Sequence, residues 1–546
     1  MKTKLRIFFF GISILTLIAF IVPSDKYFSI AKNLDIFTTL FKEIDTYYVD
    51  EIDPEKFIKT GIKSMIGSLD QYSEFITEEE ARSFELQKHR RNFGIGVQLV
   101  SLDGKIIVKG ISKDSPAYLA GLKIGDELKI IDGKTVNNKK IDEVSSLLDG
   151  RANTSAGIKM IRHGKELDFN ITREEIKTKS VEEQFMVTKE IGYIRLDNLN
   201  SGASEEMKQA LDRLNSPQLK RLILDLRNNQ GGMLNEAISV VNFFLPIGTA
   251  IVSTKSRIKE FDKTYVTLNA TWNATIPLVV LTGRVSAAES EIVAGALQDY
   301  DRALLIGQRT CGNGLVQTTK KLVYNTELKI SVAKYVTPSG RSIQSQDTVN
   351  QQFDTQVENF SDSLNFTFYS KSGRKFYNTN GLMPDILIEK EQLNSDVEDL
   401  IKSQLIFEFA LKFCSENTVP EDYEKVAKSP KQYHEFEEWL QQQDPPFSSQ
   451  LEKKVDELIV VSERETNSNS INSILKKLKT QLYANRKTIT TKYMDVLLPI
   501  LHKEIASQYG IYEFKKEIVA HPDKEIIEAI RILENEVLYK KLLKPN

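Results

Sequence analysis

A chain of 546 residues, 41% of them hydrophobic, has apolar side chains for three or four packed cores, which excludes a disordered or fibrous protein. Its 73 basic and 75 acidic residues nearly cancel, so the totals argue against a nucleic-acid binder held by phosphate contacts and favour a protein substrate or partner. Cys311 and Cys414 allow at most one disulfide, show no metal-ligand spacing, and are read as unpaired thiols; no cofactor or metal is implied.

Lys2, Lys4 and Arg6 precede an apolar run from Ile7 to Val22, which Pro23-Ser24-Asp25-Lys26 closes. This is the pattern of an export segment. The run is short for a span of about 20 residues and lacks an A-x-A cleavage site, so residues 1–26 are a signal peptide or a membrane anchor, with both left open. The rest of the chain is expected outside the cytoplasm, in a periplasm or cell envelope; if the segment is retained, residues 7–22 are its hold on an inner membrane.

Residues 27–90 read as a helical N-terminal domain. Ile36, Leu40, Phe41 and Ile44, then Phe57, Ile58, Ile62, Met65 and Ile66, recur at helical spacing, and Asp53-Pro54-Glu55 is a helix start. From 91 to 175 short strands alternate with turn signals such as Asp103-Gly104 and Asp132-Gly133. Between 176 and 390 apolar strands alternate with helices, the pattern of an α/β core with a largely parallel sheet. Residues 391–546 read as a helical, charged extension, with Leu451, Val455, Leu458, Ile459, Ile471, Ile474, Leu475, Leu478 and Leu482 at helical spacing. Lys428 to Ser448 and Glu463 to Ser470 are expected to be connections, and the extension a packing or oligomerisation module.

The string Ser115-Pro116-Ala117-Tyr118-Leu119-Ala120-Gly121-Leu122-Lys123-Ile124-Gly125-Asp126 resembles that of a bacterial PDZ domain. The resemblance implies that backbone amides at Phe93, Gly94, Ile95, Gly96 and Val97 receive the carboxylate of a protein tail, which adds to an edge strand by β-augmentation.

Four further strings stand in order: Leu224-Asp225-Leu226-Arg227-Asn228-Asn229-Gln230-Gly231-Gly232, Ser290-Glu291-Ile292-Val293-Ala294-Gly295, Arg302-Ala303 through Gly307, and Tyr335-Val336-Thr337-Pro338-Ser339-Gly340-Arg341. With Gly381-Leu382-Met383-Pro384-Asp385 they resemble the carboxyl-terminal processing peptidases, tail-specific serine endopeptidases with an embedded PDZ domain. That family carries S-A-S-A-S-E with the middle serine as nucleophile, and F-G-K downstream with the lysine as general base. Here those positions hold Ala288 and Asn313.

Alanine has no nucleophilic atom, and an asparagine amide takes up no proton near neutral pH. Loss of such a unit removes about six orders of magnitude of rate. By resemblance Gln317 is the retained lysine-orienting glutamine, and amides at Gly231, Gly232, Ala288 and Glu289 form an oxyanion-hole remnant able to polarise a carbonyl. Ser286 and Ser290 lie two residues either side of Ala288, about 200° away on a helix, and point elsewhere. Cys311 takes the family's phenylalanine position and is expected to be a packed thiol. Asp299 and Arg302 are expected to serve structure.

The leading reading is therefore a proteolytically silent homologue that binds protein tails as an adaptor or regulator, an active relative being one candidate partner and an oligomer being left open. Two alternatives stand beside it: an active serine endopeptidase with a relocated catalytic residue at Ser286, Ser290 or Cys311, and a structural envelope protein. The expected architecture is an α/β protease core with a small β-rich PDZ domain, a helical N-terminal domain and a helical C-terminal extension.

Overall fold

The computed structural model describes residues 24–83, 93–176, 179–344, 367–377, 380–389, 393, 395–419, 430–443, 450–464, 469–510 and 523–544. The apolar run 7–22 lies outside them, and among the described residues no helix is long and apolar enough to cross a membrane. Two units result, Met1–Phe75 and Ile76–Asn546. In the first, helices Ser24–Tyr47 and Pro54–Gly67 form where the periodicity places them. Asp53 starts the second by accepting from Glu55 N at 3.0 Å and Lys56 N at 3.1 Å, with Pro54 in the first turn where its missing N–H costs nothing. Leu34, Ile36, Phe37 and Leu40 remain exposed on the first helix.

Strands Val97–Leu102, Lys105–Ile111, Glu127–Ile131, Ser155–Arg162 and Lys165–Thr172 form the PDZ sheet in that spatial order, so Val97–Leu102 is an edge. Ile106, Val108, Leu128, Ile131, Ile158 and Met160 fill its core. Asp126, the last residue of the PDZ string, is buried; it accepts from Lys123 N at 2.8 Å and pairs with Arg162 at 2.6 Å, which fixes the glycine turn before it.

The protease-type core holds a six-stranded sheet and a second sheet that includes strands Ala250–Lys255, Lys263–Val266, Leu315–Lys321 and Glu327–Val336; the first positions the site. The strands of that first sheet, β1 (Val181–Met186), β2 (Ile191–Leu196), β3 (Arg221–Asp225), β4 (Leu278–Thr282), β5 (Leu304–Gly307) and β6 (Ile386–Leu387), lie side by side in chain order. Only β1 runs antiparallel to its neighbour. Helices α1 (Ala203–Leu214), α2 (Leu234–Asn242) and α3 (Glu289–Asp299) cover one face, where Leu222, Leu224, Leu278, Val280 and Leu305 meet Met207, Leu211, Val240 and Val293. The alternate residues Ile191, Tyr193, Ile223, Val279, Leu281, Leu304 and Ile306 point to the opposite face. A strand buried on both sides reads as a continuous apolar run, which is why β3 to β5 carry so little polarity.

Helices α4 (Lys524–Glu534) and α5 (Glu536–Leu543) pack Ile526, Ala529, Ile532, Leu533 and Tyr539 onto that second face. The last part of the helical extension thus covers the core sheet directly. The helices that precede them in the chain form a separate cluster, built from Phe409, Ala410, Leu497, Leu501 and Ile505, together with Tyr433 and Phe436 of helix Lys431–Gln441. The expected connection 428–448 thus contains a buried helix. Pro430 stands at its N-cap and leaves the interior uninterrupted, while Tyr433, Phe436, Trp439 and Leu440 form one apolar face. Conversely Leu451, Leu458, Ile471 and Ile474 are exposed.

Candidate active site

The chain leaves β4 at Thr282, turns through Gly283–Ala287 and enters α3 at Glu289, a sharp strand-to-helix turn of the kind that displays a nucleophile. Ala288 sits at its apex with φ 52° and ψ −118°, a conformation that costs a residue with a Cβ on the order of 1–3 kcal/mol. The strained turn is kept although its side chain is a methyl.

Polar side chains on either side hold the turn. Ser286 Oγ donates to Leu226 O at 2.7 Å and accepts from Gly283 N at 2.9 Å. Ser290 Oγ donates to Asn229 O at 2.8 Å. Both serines are buried, so each pins the turn to the loop that follows β3, and neither presents its hydroxyl to a substrate. Asn229 is the centre of that loop: its Nδ2 donates to Leu196 O at 2.8 Å, and its backbone O also accepts from Ala287 N at 3.0 Å.

One carboxylate joins positions 288 and 313. Glu291 Oε2 accepts from Ala288 N at 3.0 Å and from Asn313 N at 2.9 Å, which brings residues 288 and 313 within two hydrogen-bond lengths of each other. Its Oε1 accepts from Gly312 N at 2.9 Å and from the Thr310 hydroxyl. Burial outweighs these four donors and pushes the Glu291 carboxyl up to about 7. Asn313 Oδ1 is buried with no hydrogen-bond partner. Gln317 lies half-buried on strand Leu315–Lys321, opposite Ser331, and does not supply the missing donor. Sequence reasoning passed over Glu291, yet a glutamate three residues into a helix is the sign of an N-terminal capping contact.

Amides of the expected oxyanion-hole remnant meet acceptors within the chain. Gly231 N donates to Asn229 Oδ1 at 2.8 Å, Gly232 N to Glu289 Oε2 at 2.9 Å, and Ala288 N to Glu291. Three of the four expected amides therefore already have acceptors within the chain. Glycine at 232 is required by space, because a Cβ there would lie 2.4 Å from Leu199 O. Cys311 is exposed, not packed as expected. Partial burial and then the Glu291 charge raise its thiol pKa, the opposite of nucleophile activation. Asp299 pairs with Arg341, and Arg302 donates to Phe244 O and Asn273 O, so both are structural.

The loop after β3 is also tied from behind. Arg227 pairs with Asp225 at 2.6 Å and reaches Asp523 at 2.7 Å, while Tyr193 donates its hydroxyl to Asp225 at 2.6 Å.

On the PDZ domain, Phe93–Gly94 is a short strand paired antiparallel with Glu174–Glu175, and Ile95–Gly96 leads from it into edge strand Val97–Leu102, with helix Ile141–Leu148 in the same domain. Ile95 is buried in the core, so it offers only its backbone, and Gly96 has φ +82° where a Cβ would strike Ser115.

An α/β core with a nucleophile-type turn, carrying a PDZ domain upstream, defines a serine-peptidase architecture. Residues 190–354 match peptidase family S41, residues 94–172 the PDZ domain, and residues 397–533 the "Probable PDZ-protease, C-terminal helical domain". A "Carboxy-terminal-processing protease" of Bartonella bacilliformis is 36% identical over 57% of this chain and 73% of its own. A "Probable CtpA-like serine protease" of Staphylococcus aureus (strain COL) is 32% identical over 61% and 67%. Among solved structures, a photosystem II D1 C-terminal processing protease is 23% identical, covers 66% of this chain and 94% of its own, and has a TM-score of 0.36. The chain belongs to the carboxyl-terminal processing protease family.

Proposed function

We propose that this member of the family is proteolytically silent and binds protein C-terminal tails through its PDZ domain, as an adaptor or regulator outside the cytoplasm. The observation that carries the reading is the meeting of Ala288 and Asn313 on one Glu291 oxygen. Where nucleophile and base must face each other, the chain offers a methyl group and an amide. The relocated-residue alternative loses its support, since Ser286 and Ser290 are buried and committed to backbone partners and the Cys311 thiol is held protonated. For the tail, support comes from a glycine turn leading into a strand that is an edge of its sheet among the described residues, the arrangement that β-augmentation uses. The export reading rests on residues 1–26 alone.

The full chain incubated with unfolded casein is expected to show no cleavage. Proteolysis abolished by Ser286→Ala, Ser290→Ala or Cys311→Ala overturns the silent reading. A peptide ending in an apolar residue with a free carboxylate is expected to bind about tenfold more tightly than its carboxamide twin, since the anion makes charge-assisted bonds that the amide lacks. No binding of either at millimolar concentration sinks tail recognition.

A further inference from the structure

We propose that Glu289 is a built-in occupant of the oxyanion hole, a third change that closes the old active site independently of Ala288 and Asn313. The inference rests on reading positions 288 and 313 as a vacated dyad, and it adds a cause of silence that neither position supplies.

Glu289 Oε2 accepts from Gly232 N at 2.9 Å. The same oxygen lies 2.6 Å from the point where a Cβ on Gly231 would stand, and the Ala288 methyl lies 2.9 Å from that point. The carboxylate, the two glycines and the Cβ of the nucleophile position therefore converge on one small volume. A peptide carbonyl attacked from position 288 has to place its oxygen beside that Cβ and on the Gly232 amide. Here the Glu289 carboxylate already stands there. It repels the developing oxyanion, and it holds the Gly232 N–H by a charge-assisted bond stronger than a neutral carbonyl makes. Glu289 is also the first residue of α3, where any carboxylate is favoured by the helix dipole. The dipole explains a charge at this position; it does not require the bond to Gly232.

A substrate carbonyl enters only after Glu289 swings away. That displacement is expected to cost about 10- to 100-fold in kcat/KM. The consequence concerns reactivation: a serine and a lysine restored at 288 and 313 still face an occupied hole.

The test uses the full chain carrying Ala288→Ser with Asn313→Lys, and the same pair combined with Glu289→Ala or Glu289→Gln, assayed on fluorescein-labelled casein. Glu289→Ala is expected to raise the rate about 10- to 100-fold over the pair alone, with Glu289→Gln between them. Equal rates, or a faster pair with Glu289 intact, overturn the proposal. Where none of the three cleaves, hydrogen–deuterium exchange decides, by comparing the unaltered chain with the single Glu289→Ala variant. The expected result is an approximately tenfold faster exchange confined to the Gly232 amide, from loss of its one acceptor. Unchanged exchange overturns the occupancy, and acceleration spread from Asp225 through Met233 overturns it in favour of a structural role. Cleavage by the unaltered chain would refute the silent reading itself, and is seen separately from either result.

Discussion

Glu291 organises four donors with one buried carboxylate, and this gives the fold a measurable pH dependence. Its carboxyl titrates at about 7 in the folded chain against an ordinary 4.5. Between those values the folded chain keeps a proton that the unfolded chain has lost. The group's contribution to stability is therefore full below pH 4.5 and is lost as pH rises to 7, by on the order of 3 kcal/mol. Glu291→Gln cannot ionise, so urea unfolding between pH 5 and 8 is expected to show a shallower stability slope for the variant; equal slopes would disprove the assignment. Ala288 supports a second expectation. A strained backbone is tolerated in an enzyme where it aims a nucleophile, and here the side chain it aims is a methyl. Ala288→Gly is expected to raise stability by about 1 kcal/mol, since strain relief exceeds the added freedom of the unfolded chain. A lowered urea midpoint would show that the turn is unstrained. Positions 288 and 313 were legible from sequence because register against Ser290-Glu291-Ile292 locates them. The Glu289 carboxylate was not, because its direction follows from the positive φ at the preceding residue.

At the scale of elements, the sequence patterns that worked are those whose partner lies within the element. Asp53 ahead of Pro54, and Ser115 ahead of Pro116, cap the helices they announce. The double-sided burial of β3, β4 and β5 was visible as unbroken apolar runs. What failed were inferences about which surface an apolar stripe meets. Leu458 and Ile474 keep perfect helical spacing and remain exposed, whereas Tyr433 and Phe436, flanked by prolines, are wholly buried. Periodicity reports a face and cannot name its partner. Ile526, Ala529, Ile532 and Leu533 have the same kind of spacing, and their partner is a sheet assembled more than two hundred residues earlier. Likewise Arg227 was readable as part of a loop string, but its bond to Asp523 spans 296 positions.

For the molecule as a whole, that long return decides how the core is stabilised. The sheet is a layer needing cover on both faces; α1, α2 and α3 supply one cover, and α4 with α5 the other. Tyr539 locks the second cover, for its hydroxyl both accepts from Leu278 N at 3.0 Å and donates to Leu278 O at 3.1 Å on β4. The same helices reach the site, because Asp523 and Arg227 connect the start of α4 to the loop bearing Gly231 and Gly232. Ile532 is fully buried between α4 and the sheet, so Ile532→Ala removes its contacts and leaves a cavity worth about 2–5 kcal/mol. The chain shortened after residue 522 loses every such contact at once and exposes Val279, Leu281 and Ile306. It is expected to be insoluble or rapidly proteolysed, with Ile532→Ala soluble at a lowered urea midpoint. A soluble, protease-resistant truncated chain with an unchanged midpoint would show that the sheet stands with one face bare.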